Sequence, residues 1–327
     1  MLFRSCAACH TQPALGGGSD IVETRYGRTN ADGSFDPMVA SGGSLVHSQG
    51  IGPAGPCNYV GESVPPEATV RAGRRTTPLF GLGLVDAVPD DEFDKLSRQE
   101  MNTSPTTAGR PNRVMNLVKG DITIGRFGWK AQVPTLLQFS ADAYLNEIGV
   151  TSPLFPQDHC PQGNCALLAC DPAPDPEDVR DFKAFADFML LLAPPARAVA
   201  RTTSQQGESV FQAIGCASCH APKLRTGPSQ IRALDHVLFE PYSDFLLHDM
   251  GSLGDGIGGQ GLATGSEMRT APLWGLRGLI TLLHDGRAAS IDEAIFAHDG
   301  QARAARDRYA ALNATSKGAL LRFLGSL

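Results

Sequence analysis

The sequence is short of the features that mark several function classes. Aromatic residues fill 7% of its 327 positions and charged residues 19%, below the ~25% charged of an ordinary soluble domain. Long hydrophobic runs are missing. The most apolar stretch, 185–193, contains Asp187 and falls far short of the ~20 apolar residues of a membrane-spanning helix. Nor is there a basic excess. Lys and Arg number 28 against 34 acids, a formal charge of −6, which favours solubility and argues against a nucleic-acid partner. Glycine (36) and proline (23) are plentiful, together ~18% against an average nearer 12%. So much loop argues against an all-β sandwich or a plain helix bundle. A loop-rich chain with few aromatics needs another source of buried apolar surface, and a large flat cofactor supplies one. The length predicts about two domains at roughly 150 residues each.

Eight cysteines stand at 6, 9, 57, 160, 165, 170, 216 and 219. Four belong to two copies of one pentapeptide, Cys6-Ala-Ala-Cys9-His10 and Cys216-Ala-Ser-Cys219-His220. Both are C-x-x-C-H, the attachment pattern of haem c. Two thiols at this spacing add across the haem vinyl groups, and the adjacent histidine turns its imidazole onto the iron. Chance would give roughly 0.005 such motifs in a chain of this composition. A zinc ribbon needs its two C-x-x-C pairs much closer together, and a thioredoxin-type motif needs a βαβ setting. The expected cofactors are therefore two covalently bound haem c groups.

Haem c and the remaining cysteines both point to an export compartment, the periplasm. Cys57, Cys160, Cys165 and Cys170 are even in number and lie in Pro/Gly-rich loop, as disulfides would, with three pairings open. Residues 1–4 hold no apolar signal segment, and little chain precedes Cys6. A missing natural N-terminus is expected.

Along the chain, residues 11–70 read as nearly featureless loop. The segments RRTTPLFGLGLVD (74–86) and RTAPLWGLRGLI (269–280) resemble each other and follow the two C-x-x-C-H motifs at comparable distances, an internal repeat of two haem-binding halves. Ser204 is the expected N-cap of a helix ending at Gly215. Asp175-Pro176-Glu177-Asp178 starts another, continued by Val179, Phe182, Phe185, Ala186 and Met189 and ended by Pro194-Pro195. Ser290-Ile-Asp-Glu293 is a capping box, and a last helix is expected over 316–327.

The ordered segments CAACH, TTPLFGLGLVDAVP, GRFGWKAQVPTL, LNEIGVTSPLF, GCASCHAPKLRTG, YSDFLLHDMG, RTAPLWGL, LLHDGRA and IDEAIFAHDG resemble the bacterial di-haem oxidoreductase family, also labelled thiol oxidoreductase. That family is related to di-haem cytochrome c peroxidases and to the methylamine-dehydrogenase maturation enzyme. The resemblance implies a mostly α, loop-rich protein of two cytochrome c-type domains, 1–195 and 196–327, each with one haem. It also raises a calcium ion between the domains, without naming ligands.

Residue roles follow from the same resemblance. His298 stands 14 residues after the histidine of the LLHDG segment, where related peroxidases carry a distal methionine. The second haem is then bis-histidine, His220 and His298, with a lowered potential and no open position. Met250 and His248 are rival ligands, while Arg269 and His284 support the haem edge or propionates. Glu147 matches a distal glutamate able to move a proton during O–O cleavage. Trp129, 18 residues before it, matches a tryptophan between the two haems, whereas Trp274 reads as packing. His47 matches a removable distal ligand, and as a loop residue it would leave that iron open. His159 and His236 receive no role. The expected function is peroxide reduction at the N-terminal haem with electrons from a small redox protein. A di-haem electron carrier and an oxygenase acting on an organic substrate are the alternatives.

Overall fold

The computed structural model describes residues 5–171, 179–198 and 201–327. Among them the fold is mixed, not mostly α. Eight α-helices are present: α1 (Leu82–Asp86), α2 (Asp90–Thr103), α3 (Leu136–Ile148), α4 (Val179–Leu191), α5 (Arg201–Ala213), α6 (Ile291–Ala297), α7 (Arg303–Ala310) and α8 (Ala314–Leu324). The strands are β1 (Val22–Thr29), β2 (Phe35–Asp36), β3 (Gly52–Ala54), β4 (Cys57–Tyr59), β5 (Val70–Arg75), β6 (Asn112–Asn116), β7 (Asp121–Gly125), β8 (Leu224–Arg225), β9 (Leu238–Phe239), β10 (Leu247–Asp249) and β11 (Glu267–Arg269). They form one three-stranded sheet, β2-β1-β5, and four two-stranded ones. No helix of the described residues is long and apolar enough to cross a membrane.

The expectation of featureless loop over 11–70 fails at β1. This strand pairs antiparallel with β5, Val22 opposite Arg75 and Gly27 opposite Val70. Its partner lies more than forty residues on, so no local turn signal announces the pair. Two disulfides, Cys57–Cys170 and Cys160–Cys165, settle the pairing left open. The first ties β4 to the 165–170 segment.

Helix starts follow local chemistry. Thr135 caps α3 by accepting from Gln138 N at 3.2 Å, Asn313 caps α8 through Ser316 N at 2.9 Å, and Ser290 caps α6 through Glu293 N at 3.2 Å. Ser204 does not begin α5. Among the described residues the helix spans Arg201–Ala213, so Ser204 lies inside it, and its hydroxyl accepts from Arg197 at 3.3 Å. In α4, Phe182, Ala186 and Met189 are buried while Phe185 is 40% exposed. The helix start at 175–178 lies outside the described residues.

The two repeat segments share one device. Gly81 (φ 74°) opens α1 and Gly275 (φ 73°) opens the short 3-10 turn Leu276–Gly278. Both need the left-handed region that favours glycine. One core cluster joins Leu82, Phe93, Ile124 and Met189 to Leu224, Phe239 and Leu246, so apolar packing crosses the 195/196 boundary, and Trp274 packs against it. A second cluster, with Phe211, Tyr309 and Phe323, forms where α5 crosses α8. A Cβ at Gly207 would collide there with the Ala319 carbonyl.

Candidate functional site

Each C-x-x-C-H motif folds as a short 3-10 turn, Cys6–Ala8 and Cys216–Ser218. The histidine amide then closes onto the first cysteine carbonyl, at 3.0 Å in both copies. Each imidazole is fixed through Nδ1 on a backbone carbonyl: His10 on Gly17 at 3.1 Å and His220 on Tyr242 at 2.9 Å. That leaves Nε2 as the free nitrogen, the arrangement by which an outer hydrogen bond fixes tautomer and ring orientation in a metal ligand. Burial lowers the pKa of both rings, that of His220 to about 4, so they are neutral at pH 7 and able to coordinate.

The C-terminal cavity, about 230 Å³, holds Cys216, Cys219, His220 and His298 among leucine and isoleucine side chains. His298 ends α6 and anchors Nδ1 on Ala294 O at 2.7 Å. Burial lowers its pKa too. The His220 and His298 ring centres lie 6.4 Å apart. Two imidazoles on opposite sides of one metal, at about 2.0 Å per metal–nitrogen bond and roughly 1.1 Å more to each ring centre, would be about 6.2 Å apart. The donors, their spacing and the apolar walls therefore fit a haem gripped on both faces. Arg269 lines this cavity, its Nε on Gly128 O at 2.7 Å and its guanidinium 5.4 Å from the Phe245 ring centre. Burial lowers its pKa to about 10.

His248 and Met250 also border the cavity. Both ring nitrogens of His248 are engaged, Nε2 by Asp244 at 2.8 Å and Nδ1 by Cys219 Sγ at 3.4 Å, which leaves none for an iron. Among the described residues, Cys219, Asp244 and His248 form the cluster of donors that could hold an ion. It is a sulfur–nitrogen–carboxylate set, unlike the oxygen shell that calcium takes.

The N-terminal cavity, about 90 Å³, is the more polar of the two. Cys9 and His10 share it with Glu147, Asp142 and Asn146 from α3 and with Glu23 and Arg25 from β1. Burial, then the charges of Glu23 and Asp142, push the Glu147 carboxyl up to about 8. The donor set fits a haem held from one face, with an acid–base group sharing the cavity. His47 is not among the lining residues. Its Nδ1 pairs with Glu62 Oε2 at 2.8 Å, its Nε2 has no partner, and its ring lies 5.3 Å from that of His159. His159 in turn meets Asn146 at 3.0 Å. His236 is exposed on its loop.

Trp129 lines both cavities. Its ring is 6.2 Å, edge-on, from that of His284. Sequence reasoning missed Glu23, Arg25, Asp142 and Asn146. The alternating VETRYGRT pattern could have signalled a strand, and Asp142, Asn146 and Glu147 lie about one helical turn apart on α3.

The family described as "Di-haem oxidoreductase, putative peroxidase" matches residues 62–327. No curated protein matches the chain. Among solved structures, hydrazine synthase of Kuenenia stuttgartiensis, pressurized with 20 bar xenon, is similar at 17% identity and a TM-score of 0.34, over 47% of this chain and 56% of that one. The chain thus spans little more than half of that neighbour. The match over 62–327 takes in the second C-x-x-C-H motif, the four histidines that line the C-terminal cavity and Trp129: this chain belongs to the di-haem oxidoreductase family.

Proposed function

We propose that the protein is a periplasmic peroxidase-type enzyme that reduces peroxide in the His10 cavity with electrons relayed from the His220 cavity. Residues 1–195 and 196–327 act as two cytochrome c-type units. Cys6 and Cys9, and Cys216 and Cys219, hold one haem each through thioether bonds. His10 and His220 would each offer an imidazole to the iron, and His298 would offer a second one in the His220 cavity. When bound, each haem supplies an iron that exchanges one electron at a time.

The contrast between the cavities carries this reading. One sets two neutral imidazoles 6.4 Å apart among apolar walls, which suits electron transfer. The other sets one imidazole in a cavity with a carboxyl whose pKa is about 8, which suits proton handling near neutral pH. Glu147 takes the proton of one peroxide oxygen and returns it to the departing one. Peroxide consumes two electrons and two protons in all and yields two waters. Trp129 bridges the cavities for the electrons, Arg269 backs the second haem, and a small redox protein delivers electrons on the His220 side. His47, with Nδ1 on Glu62, stands outside the lining of the His10 cavity.

Peroxide consumption by holoprotein with a reduced one-electron donor tests the reading. Two donor molecules should be oxidised per peroxide, and Glu147→Gln should lower turnover about 10²- to 10⁴-fold. Wild-type turnover in that variant rejects the role of Glu147. Two haems that ignore cyanide in every redox state reject peroxidase chemistry and leave an electron carrier.

A further inference from the structure

Strand β1 puts two charged side chains into the His10 cavity. Side chains alternate along a strand, so Glu23 and Arg25 share one face, while Tyr26 turns to the other and packs with Met38 and Val46. Pairing with β5 sets Glu23 opposite Arg74 and Arg25 opposite Ala72. Glu23, Arg25 and Arg74 accordingly line one wall, in the same cavity as Cys9, His10 and Glu147.

The three arginines that line this cavity are not equivalent: Arg75 gives Nη1 to the Thr281 carbonyl and keeps one buried donor, Nε, without a partner. Arg74 is committed to partners outside the cavity lining: Nε donates to Asp255 at 2.7 Å and Nη1 to Gln260 at 2.7 Å, and Nη2 is ion-paired to Asp255 at 2.6 Å without a hydrogen bond of its own. Arg25 commits only Nε, to Glu23 Oε1 at 2.7 Å, and Ala72 stands opposite it on β5. Its side chain is 17% exposed. A guanidinium carries five N–H donors in a rigid fork, so Glu23 fixes one edge while four donors remain for whatever enters. Three carboxyls, from Glu23, Asp142 and Glu147, line the same cavity.

We propose that Arg25 is the anion-binding residue of this cavity, donating its Nη hydrogens to the oxygen that gains negative charge as the peroxide O–O bond breaks. The inference rests on the peroxidase reading and deepens it. Glu147 first takes a proton from one peroxide oxygen. The O–O bond then breaks with its electron pair going to the departing oxygen, which receives that proton from Glu147 and leaves as water. The remaining oxygen becomes the second water with two electrons from the one-electron donor and two protons from solvent. Arg25 offers fixed positive charge where charge develops, the arrangement that makes preorganised donors effective in catalysis. The same donors give the cavity affinity for small anions.

The test uses ferric holoprotein titrated with sodium fluoride and followed by absorbance, with carbon monoxide binding to the reduced protein as the uncharged control. Arg25→Gln should weaken fluoride binding about 10- to 100-fold and peroxide turnover about 10²-fold, with carbon monoxide affinity unchanged. Arg25→Lys should fall between. Because Arg25→Gln strands Glu23, the double variant Glu23→Gln/Arg25→Gln carries the same expectation without a lone carboxylate. Wild-type fluoride affinity in either variant overturns the role of Arg25 and leaves the peroxidase reading standing. A wild-type protein that turns over no peroxide and binds no fluoride overturns both.

Discussion

The indole N–H of Trp129 donates to the carbonyl oxygen of Arg75 at 3.0 Å, and these two residues line both cavities. The Arg75 amide donates in turn to the His284 carbonyl at 2.7 Å, and the Trp129 carbonyl accepts from Arg269 N at 2.8 Å. The wall between the two sites is thus held by backbone from both halves of the chain.

Replacing Trp129 by phenylalanine keeps an aromatic ring and removes the N–H. Stability should drop by about 1 kcal/mol, the net worth of one hydrogen bond. Electron transfer between the haems should slow by roughly tenfold or more, a barrier increase of about 1.4 kcal/mol. Stopped-flow reduction resolves the two haems, and unchanged transfer would remove Trp129 from the path.

His298→Met exchanges an imidazole for a thioether at the second face of the C-terminal haem. Methionine ligation raises haem potentials, so the midpoint of that haem should rise and that of the other should hold. A redox titration reads both, and an unmoved C-terminal midpoint would show that residue 298 is no ligand.

Glu147 carries a pH signature. Its folded value of about 8 lies above the ordinary 4.5, so the folded protein holds this proton more tightly than the unfolded chain. The stability it contributes is fully present below about 4.5 and is lost as pH rises to about 8. Gln does not titrate. The melting temperature of Glu147→Gln minus that of wild type should therefore grow across this window and then level off. Peroxide kcat/KM of the wild type should rise toward the same pH as the base form appears. A difference that is flat with pH would refute the assignment.

Asp255 neutralises two buried cations, Arg74 at 2.6 Å and Lys130 at 2.9 Å. Lys130 also donates to the carbonyls of Thr264 and Gly265 at 2.9 and 3.1 Å. Asp255→Ala would leave both charges uncompensated, at a cost of about 3–5 kcal/mol. Urea denaturation measures it. A loss under about 1 kcal/mol would mean that water reaches the cluster.

Much of the site was legible because its parts are local. A C-x-x-C-H motif needs five consecutive residues, and both copies fold alike. The cap at Ser290 was readable for the same reason, since its bond spans three residues. Arg25 was not legible. A short alternation marks its strand, but its place in the cavity depends on a strand partner more than forty residues away.

By itself the sequence determined the two C-x-x-C-H motifs with their histidines and the unlike residues available to face them. Tertiary structure alone decided that Arg25 joins Glu147 and His10 in one cavity and that Arg75 stands with Trp129 in the lining of both. The register of β1 on β5 and the crossing of α5 on α8 set which side chains point inward. Those are non-local choices, made by burial of apolar faces, and no short window of residues records them.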